Sequence, residues 1–176
     1  VTAAAILACR FDPASVGTGA SEIAIRTTAE ERLAIAKDLG LMELQALEAD
    51  LAANRDDEGR IQVTGNLRAT VVQSCVVSLK PVVQAIDERF ERHFAPTDHA
   101  AAGSSVDIDP DTEDPPDGFG EEGIDLGAVV VEQLILAIDP YPRAEDAELP
   151  AQASGGSEKA ESPFAVLKTL GHRQPG

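Results

Sequence analysis

Among residues able to do chemistry, the carboxylates are the most densely spaced: Asp107, Asp109, Asp111, Glu113 and Asp114 fall within eight positions. Alternating carboxylates invite comparison with a calcium loop, which needs Gly at its sixth position and Glu at its twelfth. Counted from Asp107, those positions hold Thr112 and Gly118, and Pro110 is a further mismatch. The tract therefore reads as concentrated negative charge, not as a cation cage. Cys75 opens Cys75-Val76-Val77-Ser78, which offers a single thiol where a metal needs several ligands. It is expected to be a small apolar filler in a buried strand. His93, His99 and His172 have no partner motif to orient them as general bases and read as solvated surface groups. There is no Gly-rich phosphate loop, nucleophile elbow or His-Glu-x-x-His. No catalytic residue, cofactor or metal is expected.

Cations supply the other candidate chemistry. Arg60, Arg68 and Lys80 are candidate RNA contacts, drawn from a possible stripe that also holds Arg55, Arg89 and Arg92. All are interleaved with acids, so an ordinary solvated face is the favoured reading and RNA contact stays open. The net charge of −17 is unevenly placed. Residues 1–92 carry 10 basic and 14 acidic side chains, whereas residues 93–142 carry 12 acids and no Lys or Arg. Repulsion without apolar burial opposes compaction. Residues 97–123 are accordingly expected to be a disordered acidic insertion.

The elements that must position these groups follow from periodicity. Glu22 to Arg26 alternates as a half-buried strand does. Thr28 and Glu31 have capping-box spacing, and Leu33, Ala36 and Leu39 share a helical face before Gly40. Residues 41–53 fit a helix or a strand, and a strand with a bulge near Ala46 is the reading adopted. Ile61, Val63, Gly65, Leu67, Ala69 and Val71 keep period two for eleven residues, with Gly65 marking a bend or a close backbone approach. Val72 to Leu79 continues as a β-branched run, and Ile86, Phe90 and Phe94 suit a strand or a helix face equally. Asp125 is an N-cap candidate for a helix carrying Leu126, Val130, Leu134 and Ile138 and ending before Pro140. Pro163, Phe164 and Leu167 form a candidate docking motif within 163–170.

With 43% apolar residues but only 3% aromatic and no Trp, the core must be aliphatic. No run approaches the ~18 apolar residues of a membrane span. Val1 to Cys9 is apolar but short and lacks a preceding basic residue, so it fails as a secretory signal. Two cysteines make no disulfide framework, and a reducing cytoplasm is expected.

In order, Val63-Thr64-Gly65-Asn66-Leu67-Arg68-Ala69, Gln73-Ser74-Cys75, Leu79-Lys80-Pro81-Val82, Phe90, Phe94-Ala95-Pro96, Ile124-Asp125-Leu126-Gly127, Tyr141-Pro142-Arg143 and Pro163-Phe164-Ala165-Val166-Leu167 resemble the YceD family. These are the large ribosomal RNA subunit accumulation proteins of bacteria and plastids. The resemblance implies a role in synthesis, processing or stability of large-subunit ribosomal RNA, without an established reaction. Many relatives carry Cys-x-x-Cys where this chain has Cys75-x-x-Ser78, so a metal or redox role does not carry over.

The expected architecture is α+β: a bent antiparallel sheet covered by two helices, interrupted by the acidic insertion. The domain map is a flexible segment 1–19, a single domain of 20–96 plus 124–143, the insertion 97–123, and a flexible tail 144–176. The expected protein is a noncatalytic cytoplasmic factor of large-subunit ribosome biogenesis. Its partner would be a basic ribosomal protein or pre-ribosomal particle, with possible contact to ribosomal RNA and none to membrane. The alternatives are an acidic adaptor unrelated to ribosomes and a metal-assisted hydrolase.

Overall fold

The computed structural model describes residues 6–16, 19–97 and 115–148. Five strands form one sheet in the order β2 (Ser21–Arg26), β3 (Glu43–Arg55), β4 (Ile61–Ser74), β5 (Pro81–Pro96) and β6 (Asp117–Phe119). The pairings are antiparallel except that β6 runs parallel to β5. A separate two-stranded ladder joins β1 (Arg10–Phe11) to β7 (Ile124–Asp125). Helices α1 (Ala29–Leu39) and α2 (Leu126–Ala137) complete the α+β fold.

Helix α1 starts as its sequence requires. Thr28 Oγ1 accepts from the Glu31 amide at 3.2 Å, and the Glu31 carboxylate accepts from the Thr28 amide at 2.7 Å. At the other end Gly40 has φ 67, and the Leu41 amide donates to Ala36 O at 2.9 Å. The buried face is rotated from the expected one: Ala36 is buried and Leu39 packs against the core as expected, but Ile35 is buried while Leu33 is 73% exposed. The helix offers apolar residues at 33, 35, 36 and 39, and docking on β3 selects the stripe centred on Ile35.

Of residues 41–53, Glu43 onward resolve to strand. Register shifts between Leu44 and Ala46, so Gln45 is the extra residue and both Leu44 and Leu47 stay buried. On β4 the alternation holds: Ile61, Val63, Leu67, Ala69 and Val71 are buried. Gly65 admits side chains rather than a second backbone. A Cβ there would lie 2.6 Å from both Leu51 Cδ2 and Phe90 Cζ, so the Phe90 ring closes over the gap. Residues 82–94 also resolve to strand, with Ile86 and Phe94 buried opposite Ala69 and Ile61.

Asp125 caps α2, accepting from the Ala128 amide at 3.1 Å, and Leu126, Val130 and Leu134 enter the core shared with the sheet and α1. Gln84 holds the far end: its Nε2 donates to Ala137 O at 3.0 Å and its Oε1 accepts from the Asp139 amide at 3.1 Å.

Three domain expectations are corrected. The segment expected to be flexible over 1–19 packs through residues 6–16: Leu7, Phe11 and Val16 are buried, and Cys9 O accepts from the Leu126 amide at 2.9 Å. Gly127 permits this, since a Cβ there would lie 1.5 Å from Leu7 O. The insertion does not extend to residue 123, because Asp117–Phe119 pairs with Phe94–Pro96 and Thr97 Oγ1 donates to Phe119 O at 2.7 Å. The tail begins later than residue 144, because Ala144 and Asp146 bond to the loop after β4. Residues 98–114 and 149–176 lie outside the described residues.

Candidate functional site

Residues paired across an antiparallel ladder project to the same face. The sheet surface away from the helices therefore carries the row Arg26, Glu48, Arg68, Asp87 and the row Ala24, Asp50, Asn66, Arg89. Arg68 donates through Nε to Glu48 Oε1 at 3.2 Å and through Nη2 to Asp50 Oδ2 at 2.8 Å. Arg26 reaches the same two carboxylates from the opposite side, at 3.3 and 2.5 Å. The contacts hold the Asp50 carboxyl below the usual range, chiefly through its hydrogen bond to Arg26. Beside this lattice lies a depression of ≈ 690 Å³ lined by Glu22, Asp50, Thr64, Asn66 and Arg89. Arg89 is exposed and has no carboxylate partner among the described residues. Glu91 and His93 sit at the margin, with His93 Nε2 2.9 Å from Glu91 Oε1.

The other two candidate RNA contacts do not join Arg68. Arg60 lies in the β3–β4 turn and pairs with Glu58. Lys80 lies beyond the other end of β4, a strand of 14 residues, and pairs with Asp146. A straight strand of that length spans roughly 45 Å. Each candidate cation thus has its own carboxylate, and the three occupy separate places. Arg92, from the same expected stripe, serves packing: it links β5 to Asp117 on β6 and Glu132 on α2. Asp107, Asp109, Asp111, Glu113 and Asp114, like Pro163, Phe164 and Leu167, lie outside the described residues.

Cys75 is not in a strand. Strand β4 ends at Ser74, and Cys75 begins a tight loop in which its amide donates to Lys80 O at 2.8 Å and its carbonyl accepts from the Leu79 amide at 3.0 Å. The Val76-Val77 pair suggests strand, but Leu79 at φ 60 turns the chain back toward Pro81, which opens β5. The sulfur is fully buried and accepts from three amides: Ser78 at 3.3 Å, Val77 at 3.4 Å and Ala144 at 3.4 Å. The buried Ser78 hydroxyl does most to lower the thiol pKa, to about 6. The amide donors add to this and burial opposes it. Sequence reasoning missed this cradle because one donor, Ala144, lies 69 positions away. Its available signals were the Cys75-x-x-Ser78 spacing and the Tyr141-Pro142-Arg143 motif, whose Pro142 O accepts from the Val76 amide at 2.9 Å. Among the described residues no three His, Cys, Asp or Glu side chains are placed to hold a metal ion, and no helix is long and apolar enough to cross a membrane.

Residues 63–171 match the family model described as large ribosomal RNA subunit accumulation protein YceD. The match takes in the β4–β5 hairpin, the Cys75 loop and α2. No curated protein and no solved structure matches the chain.

Proposed function

The chain belongs to the YceD family, and its role therefore lies in large-subunit ribosomal RNA accumulation; on that premise we propose that it is a noncatalytic ribosome-biogenesis factor that captures a basic large-subunit ribosomal protein or a pre-ribosomal particle. The observation that carries the proposal is the pairing of the cations. Arg60, Arg68 and Lys80 each face a carboxylate, and the open sheet face sets Arg26, Arg68 and Arg89 against Glu22, Glu48, Asp50, Asp87 and Glu91. Binding a phosphate backbone relies on cations free to displace its counterions. A face already neutralised by its own carboxylates has few to offer, whereas residues 93–142 hold twelve acids and no Lys or Arg. Of these acids Asp117, Glu122 and Glu132 are paired with arginines, and the remaining charge attracts basic protein. In this reading the acidic tract stands in for the phosphates that the basic protein later binds. The Cys75 loop is structural in this reading: it fixes the chain that leaves α2 through Pro142 and Ala144.

Capture of the full chain from cell lysate tests this. The expected companions are basic large-subunit ribosomal proteins and precursor particles, released by raising the salt concentration. Companions unrelated to ribosomes would favour an acidic adaptor instead. Direct contact with ribosomal RNA remains the second reading because Arg89 stands unpaired beside the open-face depression.

A further inference from the structure

A groove of ≈ 320 Å³ lies where the C-terminal ends of α1 and α2 meet the Cys75 loop, lined by Leu39, Leu41, Val76, Ile135, Ile138 and Pro142. Gln73 and Ser74 add polar groups to its wall, but its apolar side chains are uncovered, with Val76 48% and Ile135 49% exposed. Surfaces of this kind mark interaction sites. We infer that the groove is the docking site for this chain's own segment Pro163–Leu170, with Phe164 and Leu167 as the anchoring side chains.

Three observations favour this occupant. Phe164, Leu167 and Leu170 recur every third residue, so one helical turn after another would place them on a single apolar face. The described chain also runs along the groove's loop before it ends: Val76 bonds to Pro142, Ala144 to Cys75, and Lys80 pairs with Asp146, two residues before Glu148. The fourteen residues 149–162 then separate this exit from the segment. A random-coil tether of that length averages about 20 Å end to end, enough to reach the groove and short enough to keep the local concentration high. Finally, the family match continues to residue 171, past the segment. The inference concerns the chain's own packing and does not depend on the ribosomal reading.

The test is nuclear magnetic resonance on the full chain. Nuclear Overhauser effects are expected from the Phe164 ring protons to the methyls of Val76 and Ile135. Amides of 164–170 are expected to exchange about tenfold more slowly than an unprotected chain. Phe164→Asp with Leu167→Asp should shift the Leu41, Val76, Ile135 and Ile138 methyls and leave those of Leu33, on the far face of α1, in place. Ile135→Asp, at a half-exposed position, should abolish the protection at 164–170 while the Leu134 methyls keep their shifts. A mixture of labelled and unlabelled chains identifies the occupant. Contacts seen only between chains, groove methyls indifferent to the double variant, or unprotected 164–170 amides would each overturn the inference.

Discussion

Arg68 crosses the open face of the sheet to Asp50, with Nη2 2.8 Å from Oδ2, and Arg26 holds the same carboxylate from the other side. Neither arginine is spare. The lattice is about half exposed, so it adds little to stability, but it decides what the face can bind. Releasing both arginines by Glu48→Gln with Asp50→Asn is expected to create affinity for single-stranded RNA at low salt, read by fluorescence anisotropy. In the native chain Arg68→Ala should leave such binding unchanged. An unaltered isotherm for the double variant would mean that the carboxylates do not mask the face.

Cys75 gives a prediction in pH. Its folded pKa is lowered to about 6 from an ordinary 9.0, so between those values the unfolded chain holds one proton more than the folded chain. This contribution to stability is therefore complete above the unfolded value and is lost as pH falls through about 6. Ultraviolet thiolate absorbance should show one thiol ionising near that pH, with Cys9 following later because burial and Asp125 push it upward. Ser78→Ala should raise the first midpoint, and Cys75→Ser should remove the associated rise in denaturation midpoint. A single ionisation step of two thiols in the ordinary range would contradict the amide cradle.

On α2, neighbouring leucines are expected to respond oppositely. Leu134 is fully buried and Leu136 is 71% exposed. Leu134→Asp buries an unpaired charge, with an expected loss of several kcal/mol or failure to fold, whereas Leu136→Asp should stay within about 0.5 kcal/mol. Urea denaturation followed by circular dichroism checks both. Equal tolerance would show that α2 does not complete the core.

Local rules made most of the sheet legible. The period-two run from Ile61 to Val71 became β4, the phase slip near Ala46 became the bulge at Gln45, and Thr28, Glu31 and Asp125 capped as their types require. The misses share a cause, which is pairing between distant parts of the chain. Arg10 and Phe11 form a strand only because Asp125 and Ile124 lie opposite, and no periodicity announces a two-residue ladder. Cys75 looked like strand because Val76 and Val77 are β-branched, while the amide that helps fix its loop comes from Ala144. The candidate cations are visible in the sequence, but their partners Glu48, Asp50 and Asp146 are not visible from spacing. Charge along a sequence does not reveal which groups cancel in the fold.

The capture of basic protein by the acidic tract is tested most directly by titrating one variant against two ligands. Asp107, Asp109, Asp111, Glu113 and Asp114 are replaced by Asn or Gln in the full chain, and each protein is titrated with purified basic large-subunit ribosomal proteins and with large-subunit ribosomal RNA. The account predicts that the variant binds the ribosomal proteins more weakly, with a shallower dependence on salt, while its melting temperature is unchanged. RNA binding should stay flat or strengthen as the negative charge is removed. Unchanged affinity for the ribosomal proteins would contradict the account.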